Sequence, residues 1–275
     1  MQNYDEEILR NLRRRMFIIS MKHGVTHLAS AFSSLEIFYA LYEKGALRIK
    51  KDDLLWEERD RFILSKGHAA IGMYAVMEHA GILEKDELDT FLMPGTRLAG
   101  EPCRRNLPLT EASTGSLGHG LSLGLGMALA QKMRKSDART IVLLGDGECQ
   151  EGSVWEAAMG AAAHKADNLI AILDCNQIQK MGTTEETMGC VRWQQKWKDF
   201  GWLVKEVNGH DVDEICRELS KKNDSGMPEI IIAHTIKGHG VSIMENNAAW
   251  HYKEPKKKEV KAICEELGIP MEEVM

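Results

Sequence analysis

The sequence lacks long apolar runs and an excess of basic residues, and its first residues do not have the pattern expected of a leader. Its longest apolar stretches, such as residues 230–233, are far too short to span a bilayer. Residues 1–15 are rich in acids and arginine and hold no apolar core followed by small residues, so they do not resemble a signal peptide. Lys and Arg number 35 against 41 Asp and Glu, which gives a net charge of -6. These absences argue against a membrane protein and against a nucleic-acid-binding protein.

Paired cysteines are also missing. The six cysteines are scattered without a C-x-x-C spacing, which indicates free thiols in a reducing cytoplasm rather than a disulfide or zinc framework. What is present is a hydrophobic content of 44%, ample for a buried core, over 275 residues with no repeat or polar linker. We therefore expect a single domain over residues 1–275, with a core at about 8–251 and a C-terminal helix and tail at 252–275.

Helical and strand-like segments alternate along the chain. Apolar runs bounded by glycine and polar residues predict strands, and longer segments with helical periodicity predict helices. The predicted strands cover residues 61–64, 140–144, 169–173, 203–207 and 230–233, and the predicted helices cover 5–22, 33–43, 154–164 and 212–219, with another opening near His68. This alternation predicts an α/β fold in which helices sandwich a parallel sheet. In such sheets, ligands bind at the carboxyl ends of the strands.

Polar residues follow two of the buried strands directly. Gly145-Asp146-Gly147-Glu148 ends the run TIVLL, and Asp174-Cys175-Asn176-Gln177-Ile178 ends the next strand. The carboxylate of Asp146, the amide oxygen of Asn176 and the backbone carbonyl of Ile178 form an oxygen-only ligand set that suits Mg²⁺ or Ca²⁺ shared with phosphate oxygens. Each fragment alone is equally typical of a glycine-bracketed turn or an Asx-turn.

The pairing of GDG with a later Asn resembles the thiamine diphosphate motif, and three further segments extend the resemblance. Together the four segments are similar to the transketolase family, and they occur in the order found there: RFILSKGHA at 61–69, STGSLG at 113–118, GDGECQEG at 145–152 and KGHG at 237–240. The resemblance covers residues 8–251 and implies the first, thiamine diphosphate-binding (PP-type) domain. The resemblance extends to neither the pyrimidine-binding nor the C-terminal domain of the family, so we expect the N-terminal subunit of a split transketolase.

The resemblance assigns residues to the cofactor and its metal. Asp146, Asn176 and the Ile178 carbonyl match the Mg²⁺ ligands of the family, with Ca²⁺ as a substitute. The expected cofactor-binding residues are His68, Gly115, Ser116, Leu117, Gly147, Glu148, Asn176 and His251. The match at His251 departs from the family, because this sequence reads Trp-His-Tyr where the family usually has His-Gly.

Six residues are implied in catalysis or substrate contact: His27, His68, Glu101, His119, Glu151 and His251. His27 aligns with a substrate-near histidine, although the surrounding Gly and Pro are lost. Glu151, with Glu156 after it, matches the interface between the two domains that enclose the cofactor. Glu101 stands where the family commonly has a donor-contacting histidine, and we expect its carboxyl either to be protonated or to pair with Arg104 or Arg105.

The implied reaction is transfer of a two-carbon ketol unit from a ketose to an aldose. The family places the carboxylate that activates the cofactor in the pyrimidine-binding domain, so the resemblance implies a separate C-terminal subunit, joined to this one in an α2β2 hetero-tetramer that acts on sugars. Two alternatives stay open: the α subunit of a 2-oxoacid dehydrogenase or acetoin-type enzyme, and a non-catalytic subunit that only binds thiamine diphosphate.

Overall fold

A five-stranded parallel sheet forms the centre of the chain, which the computed structural model describes over residues 2–24, 27–189 and 191–274. The strands are β1 (Arg61–Leu64), β2 (Thr140–Gly145), β3 (Leu169–Cys175), β6 (Leu203–Asn208) and β7 (Glu229–His234), in the spatial order β1-β2-β3-β7-β6. A small antiparallel hairpin, β4 (Ile178–Gln179) and β5 (Gly182–Thr183), follows β3. All five predicted strands are present, with ends within two residues of the prediction.

Helices cover both faces of this sheet, as the sequence predicts. They are α1 (Gln2–His23), α2 (Leu28–Ser33), α3 (Leu35–Tyr42), α4 (Ala70–His79), α5 (Gly120–Met133), α6 (Gly152–Ala163), α7 (Thr184–Met188), α8 (Trp193–Asp199), α9 (Val212–Leu219) and α10 (Lys257–Leu267). Side chains alternate between the faces of each strand. Ile141 and Leu143 therefore join the core beneath α1–α4, α9 and α10, and Val142 and Leu144 join the core beneath α5, α6 and α8. The sandwich of helices about a parallel sheet is confirmed.

Close helix packing depends on one glycine of α5. A Cβ atom on Gly124 would lie 2.5 Å from Val142 Cγ2, so only glycine lets α5 approach β2 this closely. Gly126 on the same helix has open space around it. Close packing of α5 on β2 therefore requires glycine at position 124 and not at position 126.

The helix predicted over 33–43 is present as α3, and a short helix that the sequence does not predict, α2, precedes it and ends at Ser33. The Ser34 hydroxyl caps neither helix. Instead the hydroxyls of Ser33 and Ser34 donate to the buried carboxylate of Asp174, at 2.7 and 3.1 Å. The two hydroxyls therefore serve a long-range polar contact, which local sequence patterns do not reveal, rather than a helix cap.

The C-terminal segment adds to the core beyond residue 251. Val260, Ile263 and Leu267 of α10 are buried in the same cluster as α1, and Ile269 after the helix is also buried. Within the described ranges, no helix combines the length and apolarity needed to cross a membrane. Five cysteines there carry free thiols: Cys103, Cys149, Cys175, Cys216 and Cys264. The prediction for Cys190 lies outside the described residues.

Candidate active site

A cavity of about 250 Å³ lies at the carboxyl edge of the sheet, where the segments that follow β1, β2, β3 and β7 converge. Because parallel strands end at the same edge, residues distant in sequence meet here. The cavity is lined by Ser30, Lys66, His68, Leu117, Gly145, Asp146, Gly147, Glu148, Asn176, Ile178, Gln179, Lys180, Lys237 and His251. Eight of the residues assigned by resemblance are among them.

The three oxygen donors expected to hold a metal all line this cavity. Gly145 and Asp174 are register partners in neighbouring strands, which places the residues after them side by side. Asp146 Oδ1 accepts from the backbone N–H of Gly147 at 2.7 Å, and Oδ2 accepts from that of Gln177 at 2.5 Å. Asn176 Oδ1 accepts from the N–H of Ile178 at 3.1 Å. These backbone bonds fix both side chains where the strands end.

The carboxyl of Asp146 carries a burial cost that its hydrogen bonds offset only in part. Asp146 is 2% exposed. Burial, and then the neighbouring charge of Asp174, raises the pKa of Asp146 to about 6, although backbone hydrogen bonds and Lys237 oppose the shift. A buried carboxylate with a raised pKa favours a cation at this position, because a cation stabilises the charged form.

Three histidines meet above the cavity. The ring of His27 lies 5.3 Å from that of His68 and 5.8 Å from that of His251, and the His68 and His251 rings are 5.7 Å apart. Burial first, and then nearby lysine charges, lowers the pKa of all three, to about 3 for His251. All three rings are therefore neutral at neutral pH, and each keeps one N–H donor. Tyr252, 63% exposed, packs edge-on against His27 with ring centroids 5.0 Å apart.

Two buried lysines reach the same cavity. Lys237 Nζ donates to the Ile178 carbonyl at 3.1 Å and contacts His251 Nδ1 at 3.0 Å, so the His251 proton sits on Nε2. Lys66 Nζ forms a buried ion pair with Asp174. Burial, and then the charge of Lys66, lowers the pKa of Lys237 to about 8. Sequence reasoning missed both lysines, although each stands directly before a glycine in a segment used for the resemblance.

Ser30 is a third donor that the sequence did not single out. It lies in α2, is 1% exposed and lines the cavity. Its hydroxyl is buried without a hydrogen-bond partner among the described residues. Nothing in the local sequence around 28–33 distinguishes this serine from an ordinary helical one, so only the fold reveals it.

Glu148 lines the cavity, but both of its carboxylate oxygens accept hydrogen bonds from other residues of this chain. Oε1 accepts from Gly118 N at 2.9 Å and from the Ser65 hydroxyl, and Oε2 accepts from Gly145 N at 3.1 Å. Burial raises the pKa of this carboxyl even so. Glu148 thereby ties three segments together, which positions Leu117 at the cavity wall.

Five residues expected near the cofactor, the substrate or the subunit interface, which we call the rim residues, are exposed and do not line the cavity. They are Glu101, Ser116, His119, Glu151 and Glu156. The side chain of Glu101 covers Gly115, whose φ of 147° is open only to glycine, and a Cβ there would collide with the carboxylate. The expected ion pair of Glu101 with Arg104 or Arg105 does not form within the described chain. Because Glu101 is exposed, its charge needs no such partner.

A second buried network, also missed, supports the loop that carries Lys237. Glu36 accepts from Arg13 Nη2 at 2.5 Å and from His210 Nδ1 at 3.0 Å. His210 Nε2 in turn accepts from the N–H of Ile236 at 2.8 Å, and Arg13 Nε donates to the His239 carbonyl at 2.8 Å. Hydrogen bonds to Ile236 and to His239 thus fix the backbone on both sides of Lys237.

Known proteins with the same sequence features identify the family. A profile described as "Transketolase, thiamine diphosphate binding domain" matches residues 7–274. The chain belongs to the transketolase family. One of the subunits named for apulose-4-phosphate transketolase, from Phocaeicola vulgatus, is 40% identical over 263 residues, covering 95% of this chain and 93% of that protein. The 6-deoxy-6-sulfo-D-fructose transketolase subunit SqwG of a Clostridium species is 37% identical, covering 97% of each. The family resemblance stated from the motifs is confirmed.

Solved transketolases share this fold but are much longer. The enzyme from Leishmania mexicana superimposes with a TM-score of 0.85 at 27% identity, over 96% of this chain and 41% of that one. Human transketolase is 38% identical in sequence over 89% of this chain and 39% of its own length. The chain therefore spans about two fifths of these full-length transketolases and nearly all of the relatives named as subunits.

Proposed function

We propose that this chain is the thiamine diphosphate-binding subunit of a two-subunit transketolase, which transfers a two-carbon ketol unit from a ketose to an aldose. The observation that carries the proposal is the cavity at the strand ends, where the donors a metal diphosphate requires converge. The coverage of 93% and 97% of relatives named as transketolase subunits supports the two-chain organisation. The family match favours transketolase over the 2-oxoacid dehydrogenase alternative.

The cavity residues fit thiamine diphosphate and Mg²⁺. Asp146, Asn176 and the Ile178 carbonyl supply only oxygen, the ligand type that Mg²⁺ prefers. The orphaned hydroxyl of Ser30 is a donor without a partner among the described residues, and a diphosphate oxygen would satisfy it. Leu117 lies at the wall where the rings of the cofactor would rest.

The cationic and imidazole donors fit the diphosphate end. Lys237 supplies a charge, and His68 and His251 supply neutral N–H groups, which bind an anion without adding titratable charge. When bound, thiamine diphosphate supplies the nucleophilic carbon and the electron sink of the reaction, and the protein supplies orientation and electrostatics. His27, packed against both histidines, stands where it could donate to a substrate hydroxyl.

The partner subunit would contribute what this chain does not hold. The family's ring-activating carboxylate lies in the pyrimidine-binding domain, and the rim residues Glu151 and Glu156 lie exposed, in position for an interface. A pair of each chain, α2β2, would bury both copies of this rim. Five free thiols suit a reducing compartment, so we place the enzyme in the cytoplasm.

We propose a modified ketose as donor. The similar subunits are named for apulose 4-phosphate and 6-deoxy-6-sulfo-D-fructose, neither of them a common sugar phosphate. Glu101, an acceptor when ionised, replaces a histidine that can donate, which changes the hydrogen bonds offered to the donor sugar. His119 and Ser116 lie exposed on the same rim and are further candidates for substrate contact.

The test is reconstitution. The chain alone should show no ketol transfer with thiamine diphosphate and Mg²⁺, and addition of the C-terminal subunit should start turnover. Donors to be compared are apulose 4-phosphate, 6-deoxy-6-sulfofructose and xylulose 5-phosphate. Robust turnover by the chain alone would refute the split enzyme. Release of CO₂ from a 2-oxoacid would favour the dehydrogenase alternative, and cofactor binding without turnover by any complex would favour the non-catalytic one.

A further inference from the structure

The carboxylate of Asp174, at the end of β3, gathers more hydrogen bonds than any ordinary strand residue needs. It is completely buried. Five side chains from four separate segments donate to it: Ser33, Ser34, Lys66, Asn176 and Thr235. A buried carboxylate costs free energy that an apolar residue at this strand position would avoid, so its presence calls for a physical reason.

One consequence of this arrangement is the orientation of the Asn176 amide. Asp174 Oδ2 accepts from Asn176 Nδ2 at 3.1 Å. A carboxylate offers acceptors only, so the amide cannot flip and present its oxygen to Asp174. The oxygen is thereby directed to the other side, where it accepts from Ile178 N at 3.1 Å at the wall of the cavity.

A second consequence is the position of the Lys66 ammonium. Besides the ion pair with Asp174, Lys66 Nζ donates to the Ser34 hydroxyl at 3.0 Å and to the Ser30 carbonyl at 3.2 Å. The side chain is 2% exposed and lines the cavity. Asp174 thus holds one cation and one amide in fixed geometry on the same side of the site.

We propose that Asp174 is a positioning residue of the cofactor site: it turns the Asn176 amide oxygen toward the metal position and anchors the Lys66 ammonium beside the diphosphate position. This inference rests on the proposed function, because it takes Asn176 as a metal ligand. If Asp174 only stabilised the fold, it would accept the same hydrogen bonds, but its effect on metal binding would not depend on the Asn176 amide.

A double-mutant cycle separates the two roles. Asp174→Asn is made in the unmodified chain and again in a chain carrying Asn176→Ala. Alanine leaves no amide for Asp174 to orient, and it places no second carboxylate against Asp174, which lies 3.1 Å from the Asn176 amide. Binding of Mn²⁺, in place of Mg²⁺, is measured by electron paramagnetic resonance on the complex with the C-terminal subunit, in the presence of saturating thiamine diphosphate.

We expect Asp174→Asn to weaken Mn²⁺ binding by about 10- to 100-fold in the unmodified chain, the usual loss when the partner of a metal ligand is removed. In the Asn176→Ala background the same substitution should cost less than about threefold, because no amide remains to be oriented. Ser33→Ala, which removes another donor to Asp174, is the matched control and should leave Mn²⁺ binding unchanged.

An equal loss in both backgrounds would overturn the positioning role. No Mn²⁺ binding by the unmodified complex would instead overturn the proposed metal site, and the inference with it. If Asp174→Asn alone leaves the buried Lys66 charge unpaired and the chain does not fold, the cycle is run with Lys66→Met present throughout. That change removes the unpaired charge and leaves the comparison between the two backgrounds intact.

Discussion

Replacement of Glu36 by glutamine should lower the free energy of unfolding, and the loss should be larger at neutral pH than in acid. Glu36 is 2% exposed and pairs with Arg13 while it accepts from His210. Burial alone would raise the pKa of this carboxyl, but the charge of Arg13 and the hydrogen bond from His210 outweigh burial and lower it from 4.5 to about 2. Glu36→Gln keeps the shape and one acceptor but removes the charge, so Arg13 stays buried without its counter-ion.

The magnitude follows from linkage. A carboxyl with a depressed pKa in the folded state contributes stability that is present above its unfolded pKa and is lost as pH falls toward its folded pKa. For values of 4.5 and about 2, that contribution is about 3 kcal/mol at pH 7 and about 1.5 kcal/mol at pH 3. Glu36→Gln should therefore lower the free energy of unfolding by about 3 kcal/mol at neutral pH and by about half as much at pH 3.

Urea unfolding at pH 7, 4 and 3, followed by circular dichroism, measures this difference. The control is Glu7→Gln on the exposed face of α1, which should change stability by less than about 0.5 kcal/mol at every pH. A difference between Glu36→Gln and the unmodified chain that stays constant from pH 7 to pH 3 would refute the argument from charge. A loss under about 1 kcal/mol at pH 7 would refute the argument from the buried pair.

Three further predictions concern the site and the packing beneath it. In the reconstituted complex, thiamine diphosphate and Mg²⁺ together should raise the melting temperature more than either alone, by an amount equivalent to about 2.7 kcal/mol at a hundredfold excess over Kd. Asp146→Ala should abolish this effect, and an unchanged thermal shift would remove Asp146 from the site. Gly124→Ala should cost about 1–3 kcal/mol in urea unfolding because its methyl group meets Val142, whereas Gly126→Ala, with open space, should not destabilise α5. Glu101→His should raise the kcat/KM for xylulose 5-phosphate relative to a modified ketose by about tenfold to a hundredfold, and an unmoved ratio would mean that Glu101 does not select the donor.

The sequence predicts the sheet, and the meeting of Asp146 with Asn176 at its edge, for a definite physical reason. A parallel strand buried on both faces is a continuous apolar run, and TIVLL at 140–144 is readable without any knowledge of its neighbours. Because such strands all end at one edge, the residues directly after two of them must lie close together. The positions of Asp146 and Asn176 follow from that rule alone.

Residues whose roles depend on long-range polar pairing could not be found in this way. Ser34 reads as a helix cap, and only the position of Asp174 across the fold shows why its hydroxyl turns inward. Lys66 and Glu36 are charged, so composition places them on the surface, but each finds a buried counter-ion that local patterns do not reveal. The resemblance could have pointed to Lys66, because it lies within a quoted segment.

The polar groups of the cavity and those of the rim differ in how far they are paired within the chain. In the cavity most polar groups find partners within the chain: Asp174 pairs with Lys66, and Glu148 accepts from the backbone of two loops, while the Ser30 hydroxyl has no partner among the described residues. On the rim the opposite holds, since within the described residues Glu151 and Glu156 are exposed and form no ion pair. A buried polar group needs a hydrogen-bond partner within the folded chain, whereas water can bind an exposed group until a partner surface replaces it. Under the proposed two-subunit organisation, the interior of this chain would anchor the cofactor, and Glu151 and Glu156 would meet the second subunit.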